Sequence, residues 1–312
     1  MTVGSLFSGI GGIDLAFRQA GCDILWAVER DNACCKTYRH NFLNMQLIES
    51  DIRDVNPKVL PKIDILAAGF PCQSFSVAGK QKGFSDPRGH MFYEVGRFIK
   101  DLRPRFVFLE NVPNLMEHDN GKSFLIVHNV LSDLDYSIRY QVLRASDYGG
   151  VPQIRDRIYI IAFREQDDCD KFCFPEKIKL NKSIEIILHR AKKQNDTYYY
   201  KQEDPFYNKA AQIVKRNDSI YRVYHDSIKI TQNNMCPTLT ASMGIQRNQV
   251  PLIKDNYGIR KLTLRECLDF QGFPKNFYFP KSITIEDAYK QIGNTVCVPV
   301  VKRIADQILQ LK

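Results

Sequence analysis

The sequence predicts a doubly wound α/β fold, in which helices cover both faces of a parallel sheet. Short apolar segments typical of buried strands, such as 63–68 and 106–109, alternate with helical segments through the first half of the chain. A glycine-rich turn at 7–12 joins the first predicted strand to the first predicted helix, as in folds that bind nucleotides. We therefore expect a sheet whose functional residues lie on the loops at the carboxyl ends of its strands.

Periodicity and helix-breaking residues locate the individual elements. The predicted strands cover 3–7, 24–28, 63–68, 106–109, 138–143 and 157–163. The predicted helices cover 13–20, 32–41, 92–102, 123–134, 263–270 and 284–291, and a closing helix lies within 294–311. Asp31 or Asn32 is expected to cap the second helix, and the third helix is expected to stop before Pro104.

Length and composition are those of a soluble globular protein. The 312 residues are 44% hydrophobic and 25% charged, which is enough for one large domain or two modest ones. No apolar run approaches the ~20 residues of a membrane helix and no signal peptide is evident, so we expect a cytoplasmic monomer without a membrane partner. The nine cysteines form no disulfide framework, and Cys169 with Cys173 lack the further ligands of a zinc site. No metal is expected.

A basic middle segment interrupts the strand and helix alternation. Residues 171–258 contain 15 lysines and arginines against 8 aspartates and glutamates, and they have little periodicity. A localised basic excess favours a polyanionic partner, although a solvated lysine-rich surface explains charge alone equally well. We therefore divide the chain into a domain formed by 1–170 and 260–312 and a smaller domain formed by 171–259.

The glycine-rich turn and a downstream acid form a candidate nucleotide-binding site. Gly9 and Gly11 permit a tight turn that a ligand can approach closely. Glu29 ends the second predicted strand, 20 residues after Gly9, where an acid usually binds ribose hydroxyls. Asp51 follows the next short strand and is placed to bind an adenine amino group. The turn alone is weak evidence, but with Glu29 it favours a cofactor that contains adenosine.

Cys72 and Glu110 are the candidate catalytic pair. Each follows a buried apolar strand, so both are expected at one edge of the sheet. A thiolate attacks carbon 6 of a pyrimidine ring only if the ring is made electrophilic, and a partly buried carboxyl group that stays protonated can do this by holding ring nitrogen 3. Arg155 and Arg157 are the cations expected to favour the Cys72 thiolate. A buried turn cysteine and a helix-capping glutamate are the structural alternatives.

Together these motifs resemble those of the C5-cytosine methyltransferase family, in particular its bacterial restriction-modification branch. The resemblance covers nearly the whole chain except the middle segment. The matching motifs, in the order of the family, are FxGxG at Phe7, the acid Glu29, Asp51, PCQ at Cys72, ENV at Glu110, QxRxR at Gln153 and GN at Asn294. Each motif is weak alone, but the ordered set is specific. The segment 79–88 also resembles the mobile catalytic loop of the family.

The resemblance implies a fold, a reaction and a set of contacts. It implies a Rossmann-like methyltransferase domain that uses S-adenosyl-L-methionine and a smaller domain that recognises double-stranded DNA through 171–259. It implies that Cys72 attacks carbon 6 of a flipped cytosine, that Glu110 engages nitrogen 3, that Arg155 contacts the base and that Arg157 supports the site. The cofactor contacts implied by the resemblance are Phe7, Gly9, Gly11, Glu29, Asp51, Ile52 and Asn294.

One departure concerns the adenine ring of the cofactor. Arg30 follows Glu29 where many members of the family have an aromatic residue that stacks on adenine. Trp26, an apolar neighbour or the plane of the Arg30 guanidinium would have to replace that contact. The catalytic groups are unaffected.

The function predicted from the sequence is DNA (cytosine-5-)-methyltransferase, with a cognate restriction endonuclease at the same DNA site as an expected partner. Three alternatives remain open at this point. They are a tRNA cytosine methyltransferase of the same family, a catalytically silent DNA-binding homologue and a nucleotide-fold oxidoreductase. The intact Cys72, Glu110 and Arg155 argue against the silent homologue, and only the glycine turn supports the oxidoreductase.

Overall fold

The computed structural model describes residues 1–71, 91–224, 227–245 and 249–311. The predicted nucleophile Cys72 and the loop 79–88 lie outside the described residues. The chain forms two compact units. The first contains Met1–Leu143, Asp156–Glu176 and Val300–Lys312, and the second contains Arg144–Arg155 and Lys177–Pro299.

The strands belong to two sheets. Their bounds are β1 Thr2–Leu6, β2 Asp23–Glu29, β3 Gln46–Glu49, β4 Ile65–Ala68, β5 Phe106–Asn111, β6 Ser137–Arg144, β7 Asp156–Phe163, β8 Tyr221–Tyr224, β9 Ser227–Ile230, β10 Leu252–Asp255 and β11 Gly258–Lys261. The first seven form one sheet in the order β3-β2-β1-β4-β5-β7-β6, and the last four form a second sheet in the order β11-β10-β8-β9.

Most of the helices lie at positions that the sequence predicts. Their bounds are α1 Gly12–Gln19, α2 Asn32–Asn41, α3 Met91–Leu102, α4 Lys122–Ser132, α5 Ala145–Tyr148, α6 Gln166–Lys171, α7 Pro205–Ile213, α8 Ser242–Ile245, α9 Leu264–Phe270, α10 Ile285–Asn294 and α11 Val298–Leu309. Of the two predicted caps for α2, Asp31 is the N-cap, and its carboxylate accepts a hydrogen bond from the Cys34 amide. None of the described helices has the length and apolar character needed to cross a bilayer.

The large sheet confirms the doubly wound prediction, with one departure. Strands β1 to β5 are parallel, and the strand order reverses direction between β1 and β4, which is the point where such folds bind ligands. Strand β7, however, runs antiparallel to β5. The first residues of β7 therefore lie at the carboxyl end of β5. For this strand it is the start, and not the end, that lies at the functional edge of the sheet.

Apolar strands fill the core of the first unit. Strands β4 and β5 are buried throughout, as their continuous apolar sequences predict. Trp26 has no exposed surface, and its indole nitrogen donates to the Pro61 carbonyl at 3.1 Å. Trp26 is thus a core residue and is not available to stack on an adenine ring.

The second unit has a small apolar core and a buried ionic cluster. Residues of α7 and of the four-stranded sheet form the apolar core. Beside it, Arg260 has no exposed surface and forms ion pairs with Asp255 at 2.7 Å and Glu266 at 2.8 Å. Glu266 also closes a capping box with Thr263 at the start of α9. Each charge in this buried cluster is therefore paired, as the low dielectric of an interior requires.

The second unit is larger than the domain predicted from composition. It includes 144–155 and 260–299, which the sequence analysis groups with the first domain. Hydrogen bonds explain the difference, because Gln153 bonds Leu239 and Phe270, and Arg260 bonds Asp255. Composition cannot reveal these contacts, because hydrogen bonds between buried groups do not depend on the net charge of a segment. That catalysis and DNA recognition divide between two domains stays a prediction.

Candidate active site

The glycine turn after β1 has the backbone conformation that the sequence predicts. Phe7, Gly9 and Gly11 have φ values of 55°, 55° and 82°, in the left-handed region. At Gly11 a side chain is also excluded sterically, because a Cβ would lie 2.4 Å from a ring carbon of Phe42. Phe7 adopts this conformation without being glycine, a local strain of the kind found at ligand sites. The turn lies at the switch point of the sheet.

Glu29 ties the end of β2 to this turn. One carboxylate oxygen accepts the Gly9 amide at 2.8 Å, and the other accepts the amides of Arg30 and Asp31 at 2.9 and 2.8 Å. The carboxylate therefore joins the loop that follows β1 to the loop that follows β2. The sequence pattern predicts that Glu29 binds a ligand, but it does not predict that Glu29 also joins two loops.

Asp51 lies after β3 between two arginines. Arg53 binds both carboxylate oxygens at 2.9 Å, and Arg30 binds one of them at 3.0 Å. The hydrogen bond from Arg53 is the main reason that the pKa of Asp51 lies well below its usual value. Arg30, which replaces the expected aromatic residue, thus belongs to an ion pair with another predicted cofactor contact. Ile52, the next predicted contact, is buried at 3% exposure.

Asp14 is a buried acid that the sequence analysis misses. It lies in the first turn of α1 with no exposed surface, and the Tyr38 hydroxyl of α2 donates to it at 2.7 Å. Burial raises the pKa of Asp14 from 3.8 to about 6. The ring of Tyr38 also stacks on Phe42, which packs against Gly11. Asp14 therefore joins the two helices behind the glycine turn. The sequence does place an acid three residues after Gly11, but the apolar residues around it give no indication that this acid is buried.

The carboxyl edge of β5 brings two predicted catalytic residues together. Glu110 lies near the end of β5, and its carboxylate forms an ion pair with the Arg157 guanidinium at 3.0 Å. Both side chains are largely buried, at 11% and 13% exposure. Because β7 is antiparallel to β5, Arg157 at its second position reaches Glu110, and Tyr159 is the backbone partner of Glu110. Water screens the attraction between such shielded charges less than it screens a surface ion pair, and either charge left alone would be costly.

The chain segment that leads to Cys72 passes beside this pair. A Cβ on Gly69, just after β4, would lie 3.8 Å from a carboxylate oxygen of Glu110. The amide of Asn111 donates to the Phe70 carbonyl at 3.0 Å, which joins the same two strand ends. Pro71 is the last described residue before Cys72. Glu110 thus lies beside the segment that carries the predicted nucleophile.

Arg155 and Asn294 belong to the second unit. Arg155 is 2% exposed, and its guanidinium donates to the carbonyls of Leu239 at 2.7 Å and Gly293 at 3.2 Å and to that of Thr295. Asn294, the last residue of α10, is exposed. The structure therefore gives Arg155 extensive backbone contacts and identifies Arg157 as the arginine that contacts Glu110. The contact of Arg155 with a base stays a prediction.

Metal-binding side chains do not cluster near these groups. Across 1–71, 91–224, 227–245 and 249–311, no three His, Cys, Asp or Glu residues are placed to hold an ion.

Comparisons with known proteins identify the family. The profile of the C-5 cytosine-specific DNA methylase family matches residues 1–310. The Type II methyltransferase M.Bsp6I of Bacillus sp. (strain RFL6) is 43% identical over 311 residues, which cover 99% of this chain and 98% of that protein. The Type II methyltransferase M.HhaI of Haemophilus parahaemolyticus is 36% identical over 313 residues, which cover 97% and 92%.

Solved structures support the fold. A crystal structure of DNMT2 from Spodoptera frugiperda has a TM-score of 0.76 and 20% identity to this chain, with 99% of each chain covered. The S. pombe Dnmt2 methyltransferase has the same TM-score at 21% identity, covering 99% of this chain and 98% of that one. The chain belongs to the C-5 cytosine-specific DNA methylase family and is a DNA (cytosine-5-)-methyltransferase. The family and the fold class predicted from the sequence are confirmed.

The raised pKa of Asp14 predicts a pH-dependent stability. The folded protein retains a proton that the unfolded chain releases between pH 3.8 and about 6. The free energy of unfolding should therefore fall as the pH rises through that window, by about 3 kcal/mol at most, and this contribution should then stay constant. Asp14→Asn keeps an acceptor for the Tyr38 hydroxyl and removes the titration. Urea unfolding at about pH 4 and pH 7 measures the difference.

The control is Asp23→Asn, which changes an exposed carboxylate at the start of β2. It should follow the wild-type dependence, whereas Asp14→Asn should lose less stability between the two pH values. Parallel curves for all three proteins would show that Asp14 is ionised in the folded state throughout this range.

Proposed function

We propose that this chain transfers the methyl group of S-adenosyl-L-methionine to carbon 5 of a flipped cytosine in a specific duplex DNA site. The observation that carries the proposal is the Glu110–Arg157 ion pair beside the segment that leads to Cys72. Charged groups shielded at a sheet edge cost free energy to bury, and they recur where they stabilise charge that develops during a reaction. A cytosine ring held there meets both an acid and a thiol.

The glycine turn fits the proposed cofactor on observations of the described residues. A Cβ built on Gly9 meets no atom within 4 Å, so space is open beside the turn. Oε1 of Glu29 already accepts two backbone amides, but Oε2 accepts only that of Gly9 and so retains acceptor capacity, which suits a ribose hydroxyl. Each oxygen of Asp51 already accepts two hydrogen bonds, so an adenine amino group would take the place of the exposed Arg30 on this carboxylate. The bound cofactor supplies an electrophilic methyl group on a sulfonium.

The residues of this chain act on the cytosine in a defined sequence. The base leaves the duplex stack, which costs a few kcal/mol that contacts in the complex must offset. The Cys72 thiolate forms a bond to carbon 6 while Glu110 holds nitrogen 3. Glu110 takes up a proton from solvent when the base binds and shares it with nitrogen 3, and Arg157 balances the remaining negative charge. Once carbon 5 carries the methyl group, water takes its proton, the freed electron pair restores the bond between carbons 5 and 6, and Cys72 leaves as the thiolate while nitrogen 3 returns its proton to Glu110.

The cellular context follows from the relatives. Two proteins that align with almost the entire chain are Type II methyltransferases. We infer that this chain acts as a cytoplasmic monomer in a restriction-modification system, with an endonuclease specific for the same site as its partner.

The first test is methyl transfer itself. Purified protein with donor labelled in the methyl group should label duplex DNA and leave tRNA unlabelled, and sequencing of DNA from an expressing host should show 5-methylcytosine at one recurring site. DNA that carries 5-fluorocytosine at that site should form an adduct that resists denaturant. Fluorine replaces the carbon 5 proton whose loss would release Cys72, so the bond from sulfur to carbon 6 persists. Cys72→Ala should abolish both results and still bind the site. Label on tRNA alone, or full activity in Cys72→Ala, would refute the proposal.

The β8–β9 hairpin supports DNA binding by the second unit. Tyr221, Val223 and Ile228 are buried, whereas Arg222 and Lys229 lie on the exposed face. The two cations are direct cross-strand partners, an arrangement that repulsion makes unfavourable. In the part of the chain that the structure describes, no carboxylate forms an ion pair with either of them. A DNA phosphate placed between them would relieve the repulsion.

Changing this pair should alter the salt dependence of DNA binding. The double variant Arg222→Gln with Lys229→Gln should bind DNA more weakly, and the slope of log K against log salt should become less steep by about 1, since the one phosphate contact that is lost contributes about 0.9. Fluorescence anisotropy over a salt series measures the slope. The double variant Lys58→Gln with Lys62→Gln removes the same charge from exposed positions in the first unit. Equal slopes for the two double variants would show that only net charge matters.

A further inference from the structure

Arg155 joins two backbone segments that are distant in the sequence. One N–H group of its guanidinium donates to Leu239, 84 residues away, and others donate to Gly293 and Thr295, 138 and 140 residues away. Hydrogen bonds from a charged donor are about twice as strong as neutral ones. The planar fork of N–H groups on arginine is what allows one side chain to hold both segments.

The two segments are in direct contact as well. Gly293 has no side chain at the crossing, and a Cβ there would lie 2.1 Å from the carbonyl carbon of Thr240. Gln153 also holds the segment that contains Leu239, because its side-chain carbonyl accepts the Leu239 amide while its amide donates to the Phe270 carbonyl of α9. The two segments and residues 153–155 therefore form one tightly bonded junction, and all of it lies within the second unit.

Each segment carries a different predicted contact. Thr238 and Leu239 lie within 171–259, the region predicted to recognise DNA. Asn294, exposed between the two carbonyls that Arg155 binds, is a predicted cofactor contact. A ligand that orders Asn294 therefore also orders the backbone carbonyls of Gly293 and Thr295. The side chain of Arg155 connects those carbonyls directly to the carbonyl of Leu239. Energetic coupling between sites requires such a contiguous connection.

We propose that Arg155 is a positioning residue that couples cofactor binding to DNA-site recognition, by holding the 238–241 segment to the 293–295 segment. This inference rests on the proposed function, and it gives Arg155 a role distinct from contact with the base. Cofactor and specific DNA then strengthen each other's binding by the same factor, as linkage requires. Without the guanidinium each ligand still binds, but it no longer orders the segment that the other ligand uses.

The test measures this coupling factor directly. Two ligands are titrated by fluorescence anisotropy and calorimetry. One is S-adenosyl-L-homocysteine, which binds without reaction, and the other is a short duplex that contains the methylated site mapped from host DNA. For the wild type, each ligand should raise the affinity for the other about 5-fold or more. Arg155→Lys keeps the charge but cannot span the three carbonyls, so its coupling factor should fall to within about 2-fold of unity.

Arg265→Lys is the matched control. Arg265 also lies in the second unit and donates to the backbone carbonyls of Pro274 and Phe277, but it contacts neither segment of the junction. This variant should retain the wild-type coupling factor. Equal loss of coupling in both variants would mean that general loosening of the unit is responsible, and full coupling in Arg155→Lys would overturn the proposal.

Gly293→Ala provides an independent perturbation if Arg155→Lys folds poorly. The added methyl group forces Thr240 away from the crossing while Arg155 stays intact, so coupling should fall here too. Thermal unfolding of each variant shows whether the unit is folded at the assay temperature. A wild-type protein that binds both ligands with no coupling refutes the inference alone. A wild-type protein that methylates no DNA refutes the proposed function.

Discussion

The ion pair between Glu110 and Arg157 is the interaction on which the rest of the site depends. It joins the carboxyl end of a parallel strand to the start of an antiparallel one, and both side chains are largely shielded from water. Removing either partner would leave an uncompensated charge in a region of low dielectric, at a cost of several kcal/mol. The sheet thus holds an acid at a fixed place beside Gly69, on the path to the predicted nucleophile.

For buried acids elsewhere in the chain, the presence or absence of a cationic partner decides whether the pKa is lowered or raised. Asp14 has a hydrogen bond from Tyr38 and no ion pair within the described residues, and burial raises its pKa to about 6. Glu266 has Arg260 as a partner, and its pKa is lowered although burial alone would raise it. The first arrangement supports the glycine turn, and the second joins strands β10 and β11 to the N-terminus of α9 in the second unit.

The sequence predicts those features that depend on local chemistry. Apolar runs locate the buried strands, Asp31 caps α2 as expected, and the glycine turn adopts positive φ. Long-range features are beyond such arguments. No pattern reveals that β7 runs antiparallel, so the contact of Arg157 with Glu110 could not be foreseen. Composition likewise does not show that 144–155 and 260–299 belong to the second compact unit, because buried hydrogen bonds of Gln153 leave no trace in charge.

A double-mutant cycle on Glu110→Gln and Arg157→Lys tests the central claim most directly. Single-turnover methyl transfer to the mapped DNA site isolates the chemical step from product release. If the two groups act as one unit, each single variant should be slow and the double variant should be little slower than the worse single, with a coupling energy of about 1–3 kcal/mol. Rate losses that simply add in the double variant would contradict the account, because they would mean that the carboxylate and the guanidinium act independently.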